Sequence, residues 1–238
     1  AQGHVSRLWA RREEFALALA RSRQSPLLPG LTLPDSVAVS HRFPEVLTGA
    51  DLVVLATPCH AAREELGAAA NVWPAGATLV TATKGIENDS LLTVSEVARQ
   101  ALGARLDGPV VVLSGPSFAR EVADGQPTNV VAASEDERAA ERVQRSFSHG
   151  RLRVYTSADP VGVQIGGALK NVIAIAVGAS DGLGLGYNAR AALITRGVSE
   201  IGRLAVAKGG QAVTVAGLAG LGDLVLTCTG ELSRNRTV

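Results

Sequence analysis

The sequence predicts an α/β fold, a doubly wound parallel sheet followed by an all-helical domain. Three observations carry this. Over the first 157 residues, short apolar runs rich in Val, Leu and Thr alternate with amphipathic stretches of helical period, the pattern of parallel strands covered on both faces. Beyond about residue 158 the alternation stops and long Ala-, Gly-, Ile- and Val-rich stretches replace it. With 46% hydrophobic residues, 238 residues can bury one large core or two moderate ones. The expected division is therefore a sheet domain over 1–157 and a helical domain over 158–238.

The elements follow in order. HVSRLWA (4–10) reads as a strand, REEFALALARSR as a helix and DLVVLAT (51–57) as a buried strand. HAAREELGAAA is the next helix, ATLVTAT (77–83) a strand, LLTVSEVARQAL a helix and PVVVLS (109–114) a strand. SFAREVADG reads as a helix and TNVVAAS (128–134) as the strand after it. VYTSADP (154–160) marks the change of pattern, after which GALKNVIAIAVG is a helix, with breaks at DGLGLGYN (181–188) and GLAGLGD (217–223).

Composition narrows the function classes. The net charge of +1 gives no general attraction to nucleic acid or to an anionic membrane, so any bound anion must be held locally. Cys59 and Cys228 are too few for a disulfide framework or a metal cluster, which points to a reducing cytosol. No stretch reads as long or apolar enough to span a membrane, and no signal peptide opens the chain, so a cytoplasmic protein is expected. The chain has no methionine and begins in mid-pattern at AQGHVSRLWARR, which leads us to expect a piece of a longer polypeptide. It has three lysines (Lys84, Lys170 and Lys208) against twenty arginines. Where Arg supplies positive charge so freely, a Lys in an apolar setting suggests that an amine is needed.

In a parallel sheet, ligands gather at the carboxyl ends of the strands. Three segments lie there: ATPCH (56–60), TKGIEN (83–88) with Lys84, and SGPSFA (114–119), which opens a helix whose free amides, with the Ser117 hydroxyl, could hold an anion. WARR (9–12) ends the first strand in Arg11 and Arg12. At the corresponding place of a dinucleotide-binding sheet an Arg accommodates a 2′-phosphate, which favours NADP over NAD. The same pair also reads as a solvated start of a helix, because Glu13 and Glu14 follow.

The helical part carries the strongest signal. On a helix, Lys170, Ala174 and Gly178 of GALKNVIAIAVG share a face, and the small residues allow close approach of another element or a nicotinamide ring. Burial disfavours a charged lysine and tunes it for general acid–base work; snorkelling from an apolar helix is the competing reading. Asn171 reads equally as a helix-packing amide. Asp223 and Thr227, four residues apart, share a helix face, and Asp223 in an apolar setting needs a partner such as Lys170. Ser233, Arg234 and Asn235 of SRNR combine a planar fork of donors with neutral donors, a set suited to a phosphate.

KGIEND, SGPSFAREVADGQPT, LRVYTSAD, GVQIGGALKNVIAIAVGASDGLGLGYNARAALITRG and GLAGLGDLVLTCTGELSRNR together resemble the bacterial NAD(P)-dependent glycerol-3-phosphate dehydrogenases, nearly along the whole chain. The resemblance implies a Rossmann-like sheet domain and a helical substrate domain that interconvert dihydroxyacetone phosphate and sn-glycerol 3-phosphate with NADH or NADPH for glycerophospholipid synthesis. It implies Lys170 as proton donor and acceptor. It places Lys84, Gly115, Ser117, Asp223, Ser233, Arg234 and Asn235 at the substrate, with Asn171 and Thr227 lining the same pocket in eukaryotic relatives. Lys84, Ala119 and Arg234 are implied to touch cofactor, and Arg11 and Arg12 its adenosine end. The family has a first strand and glycine-rich loop ahead of Gly3 and further helices after SRNR, so both ends are expected to be missing here. No metal is expected; a homodimer is among the expectations. A two-domain hydroxyacid dehydrogenase and an inactive remnant or binding module are the alternatives.

Overall fold

A computed structural model describes residues 3–230 and residue 233. The chain begins with β1 (Ser6–Trp9), α1 (Glu13–Ser22), β2 (Val37–Ser40) and α2 (Phe43–Leu47), then β3 (Leu52–Leu55), α3 (Cys59–Ala69), β4 (Thr78–Thr81), α4 (Val94–Leu102) and β5 (Val110–Ser114). Next come α5 (Ala119–Ala123), β6 (Thr128–Ala133), α6 (Glu137–Phe147) and β7 (Leu152–Ser157). From there the described chain is helical: α7 (Pro160–Gly182), α8 (Gly186–Ala207), α9 (Ala212–Val215), a π turn (Leu218–Gly222) and α10 (Asp223–Thr229).

β1 and β2 pair in parallel as one sheet, and the strands β3-β4-β5-β6-β7 form another in that order. Pairing is parallel between β3, β4 and β5 and between β6 and β7, but β6 runs antiparallel to β5, with Val112 opposite Ala133. The all-parallel sheet expected from the alternation is thus interrupted at one junction. A parallel return needs a crossover of about a dozen residues or more, usually a full helix. Segment 115–127 is long enough in residues but its only helix is the five-residue α5, too short to cross the face of the sheet, and the chain turns back instead.

The central strands are buried on both faces: Leu79, Val80 and Val111 are 0% exposed. Leu79 packs with Ala62 and Leu66 of α3 and Val94 and Ala98 of α4, whereas Val80 and Val111 pack on the other face with Val143 of α6. Alternate residues of one strand therefore feed helical layers on opposite sides, which is what doubly wound means physically. Local signals fix the helix starts. Thr93 and Glu96 form a capping box on α4, Asp136 accepts from the Ala139 amide on α6, and Pro160 opens α7 behind the Asp159 cap. The second oxygen of Asp159 accepts from the Gln211 amide at 2.8 Å, tying the start of α7 to the start of α9.

By composition two stretches are long and apolar enough to cross a membrane, contrary to the sequence expectation. Pro160–Gly182 reaches a mean hydropathy of 1.5 and Ala212–Thr229 one of 1.6. Half of the first window and 39% of the second are buried inside the protein. The two pack together with α8 through Ile165, Ala174, Val177, Ile201, Val215 and Leu224. A helix that is apolar most of the way round suits either a protein core or a bilayer, and here the neighbours are protein.

Candidate active site

The site is built where α7 crosses the π turn that leads into α10. Gly166 and Gly167 lie one turn before Lys170. A Cβ on Gly166 would stand 3.0 Å from the Ala219 carbonyl oxygen and 3.0 Å from the Gly220 Cα. A Cβ on Gly220 would meet the Val215 carbonyl oxygen at 2.0 Å. Glycine at 166 lets α7 touch the π turn, glycine at 220 lets the π turn fold back against the end of α9, and the next turn of α7 then brings Lys170 against the first residue of α10, Asp223.

Asp223 is 1% exposed and accepts two ammonium groups, Lys170 Nζ on Oδ1 and Lys84 Nζ on Oδ2, each at 2.5 Å. Lys170 Nζ also donates to Thr227 Oγ1 at 3.0 Å, and that hydroxyl donates to the Asp223 carbonyl at 2.6 Å. The i, i+4 spacing of Asp223 and Thr227 thus sets up a two-point cradle for one amine. A buried carboxylate with no partner would be expensive; two charged donors offset that desolvation. Two cations around one carboxylate leave the cluster net positive, a setting for an anionic or oxyanion-forming substrate. Burial pushes the Lys170 amine below its ordinary range, and the Lys84 ammonium beside it pushes the same way, while Asp223 opposes both.

Lys84 enters from the end of β4 and also donates to the Gly115 carbonyl at 3.2 Å. The Ser117 hydroxyl donates to that same carbonyl at 3.1 Å. Gly115 adopts a φ of 148°, and a Cβ there would lie 2.9 Å from the Val130 Cα, so only glycine fits this close passage under β6. The Gly167 position faces the same place: a Cβ there would sit 2.8 Å from Ser114 Oγ and 3.5 Å from Lys84 Cγ. Lys84, Ser117 and Ala119 line one cavity of about 440 Å³ with apolar walls from Leu28, Leu31 and Val122.

The structure therefore brings Lys170, Asp223, Thr227, Lys84, Gly115, Ser117 and Ala119 into one region. Asn171 follows Lys170 on α7, half-buried, and is not part of the Asp223 hydrogen-bond set. Ser233 is 3% exposed. Arg234 and Asn235 lie outside the described residues, so the phosphate contacts expected of them have no geometry here. Arg11 and Arg12 are exposed just beyond β1, with Arg12 at the N-cap of α1. One local expectation is corrected: the helix after SGPS begins at Ala119 and has five residues, so its free amides start two residues past Ser117 and offer no substantial helix dipole. Two features escaped the sequence. The Lys84–Asp223 contact joins segments 139 positions apart, and no local pattern announces it. Ser114 is 4% exposed with its hydroxyl unpartnered among the described residues, beside Lys84 and Gly167; its position at the end of β5 was the only signal.

Residues 1–140 match the family model for the NAD-dependent glycerol-3-phosphate dehydrogenase N-terminus, and residues 159–238 the model for its C-terminus. The chain belongs to the NAD-dependent glycerol-3-phosphate dehydrogenase family. A glycerol-3-phosphate dehydrogenase [NAD(P)+] from Geobacter metallireducens is 53% identical over 97% of this chain and 69% of its own length. Its counterpart in Myxococcus xanthus is 51% identical over 98% and 70%. A crystal structure of glycerol-3-phosphate dehydrogenase from Coxiella burnetii superposes with a TM-score of 0.93 at 38% identity, covering 99% of this chain and 71% of that one. Membership of this family agrees with the α/β arrangement of a Rossmann-like sheet followed by helices, and it selects among the alternatives left open by the residues: a dehydrogenase of glycerol 3-phosphate rather than of a hydroxyacid.

Proposed function

We propose that this chain is a glycerol-3-phosphate dehydrogenase [NAD(P)+], an oxidoreductase that interconverts dihydroxyacetone phosphate and sn-glycerol 3-phosphate and supplies the glycerophospholipid backbone. The observation that carries the reading is the Lys170–Asp223–Lys84 cluster, a desolvated amine held between a buried carboxylate and a second cation beside a cavity at the strand ends.

The residues present fit one end of a nicotinamide dinucleotide. The cavity is apolar along Leu28, Leu31 and Val122 and polar at Lys84 and Ser117, which suits a ring that must meet a substrate on one side. Arg11 and Arg12 would hold a 2′-phosphate at the adenosine end and support NADPH use. Bound there, the nicotinamide supplies the hydride.

The rest of the chemistry belongs to the chain. Lys170, as ammonium, hands a proton to the carbonyl oxygen of dihydroxyacetone phosphate as negative charge develops on it; in the reverse direction the neutral amine removes the hydroxyl proton. Proton transfer of this kind contributes about 10²- to 10⁴-fold. Asp223 and Thr227 fix where Nζ points, and Lys84 adds positive charge beside the developing alkoxide. Ser117 is proposed to contact the substrate, and Ser233, Arg234 and Asn235 its phosphate, so that binding energy away from the carbonyl positions it. We assign residues 1–157 to cofactor binding and 158–238 to substrate binding and proton transfer. Having only Cys59 and Cys228, too few for a disulfide framework, supports a cytoplasmic, reducing location.

The test is an assay of the protein with dihydroxyacetone phosphate and NADPH or NADH, following loss of the reduced nicotinamide. Turnover with dihydroxyacetone phosphate and none with a 3-oxoacid supports the reading; the opposite preference overturns it.

A further inference from the structure

Lys84 sits at the start of a strained loop whose far side is gripped by α3. Arg63 of α3 donates from Nε to Glu87 Oε1 at 2.8 Å and from Nη2 to Oε2 at 2.7 Å, a two-point fork, and its Nη2 also donates to Gln100 Oε1 on α4 at 3.0 Å. Ser90 donates to Glu87 Oε2 at 2.5 Å. The Glu87 amide donates to the Leu92 carbonyl, and the Leu91 amide to the Glu87 carbonyl, so the loop closes on Glu87. Two of its residues, Asp89 and Leu91, hold φ values of 66° and 56°, a region that non-glycine residues occupy only when their surroundings force it. Between Lys84 and Glu87, Ile86 packs into the core of the helical part, and Lys208 of the α8 end donates to the Leu91 carbonyl at 3.0 Å. Gly85, φ 148°, passes so close to α3 that a Cβ would meet the Cys59 Cβ at 2.6 Å.

The loop therefore has Lys84 in the site, Ile86 in the helical core and Glu87 on α3 within four residues. The Arg63 side chain is 40% exposed, and exposed ion pairs add little to global stability. A rigid fork does, however, fix a backbone position, because two parallel hydrogen bonds leave little freedom of rotation. We propose that Arg63 and Glu87 are a positioning pair for the dehydrogenase reaction: their fork on the 84–93 loop sets the placement of Lys84 Nζ against Asp223.

This inference rests on the function proposed above, and its experiment has one readout that does not. The variants are Glu87→Ala, Arg63→Ala and the double variant, with Arg145→Ala as a control that removes an exposed ion pair of α6. Steady-state kinetics with dihydroxyacetone phosphate and saturating NADPH should show kcat/KM down by up to about 100-fold in each single variant, as small misplacements of active-site groups do. The double variant should be no worse than the singles, because both remove one interaction. The Arg145→Ala kinetics should stay unchanged. Separately, reductive methylation followed by peptide mass spectrometry resolves Lys84 from Lys170 and Lys208. An amine tied to a carboxylate is slow to react, so Lys84 should be methylated several times faster in Glu87→Ala and Arg63→Ala. Unchanged Lys84 labelling, or single-variant losses that multiply in the double variant, overturns the positioning pair. An unmutated protein that does not turn over dihydroxyacetone phosphate overturns the function instead, and the labelling comparison still decides the pair.

Discussion

Asp223 Oδ1 lies 2.5 Å from Lys170 Nζ, although 53 residues separate them, and the carboxylate that makes this contact is 1% exposed. Such burial makes the pair mutually dependent. Lys170 without Asp223 is an ammonium beside another ammonium, whereas Asp223 without Lys170 still has Lys84. The two substitutions should therefore behave differently.

Lys170→Ala removes the proton donor but leaves the Asp223–Lys84 contact. We expect turnover of dihydroxyacetone phosphate to fall by about 10²- to 10⁴-fold, the usual worth of general acid–base help, with the fold retained. NADPH binding, followed by fluorescence of the reduced nicotinamide, should persist. Near-normal turnover in this variant would remove Lys170 from the chemistry.

The pH profile follows from the direction of the Lys170 shift. Burial and Lys84 lower its pKa, so the neutral amine appears at lower pH than for an ordinary lysine. Glycerol 3-phosphate oxidation, which needs the neutral amine, should rise with pH through that value, and the reduction, which needs the ammonium, should fall through it. Asp223→Asn takes away the influence that raises the pKa, so both limbs should move to lower pH. Limbs that stay in place, or move up, would contradict the assignment.

The sheet was legible in the sequence because its strands are short apolar runs with helices between them. The strand-end segments carrying Lys84 and Ser117 were legible for the same reason, and the helical lysine because this chain rarely uses lysine. What failed did so for physical reasons. β2 is four residues long and only half buried, so its apolar signal is faint. The antiparallel turn before β6 depends on what segment 115–127 can span, which strand periodicity does not encode. The apolar character of α7 is equally that of a core or of a bilayer, and only its neighbours decide. Finally, Arg63 and Glu87 belong to separate elements, and each alone reads as an ordinary solvated charge.

Arg11 and Arg12 give a prediction about cofactor choice. Both are exposed just past the carboxyl end of β1, where a 2′-phosphate would lie. A charged hydrogen bond to such a group is worth about 1.5–3 kcal/mol, so Arg11→Ala and Arg12→Ala should weaken NADPH about 10-fold or more while leaving NADH nearly unchanged. The comparison is the ratio of KM values for the two cofactors. Equal losses for both would mean that the arginines only start α1.

Gly220, where the π turn folds back against the end of α9, should limit stability more sharply than exposed glycines. A methyl on Gly220 would collide with the Val215 carbonyl oxygen at 2.0 Å and its carbonyl carbon at 2.6 Å, backbone atoms that cannot rotate away. On Gly217 a methyl would come only within 3.3 Å of the Thr214 carbonyl oxygen, and on Gly67 it would meet nothing within 4 Å. Overpacking costs about 1–3 kcal/mol, occasionally more, so Gly220→Ala should sit at or above the top of that range in urea unfolding. Gly67→Ala, in the last turn of α3, should be stabilising by up to about 0.5–1 kcal/mol through helix propensity. The Gly220 variant should also lose activity in its remaining folded fraction, because relief of the collision moves the π turn that delivers Asp223 to Lys170. A Gly220→Ala protein with normal stability and normal turnover would mean that the packing of the π turn against Val215 does not set the Lys170–Asp223 contact.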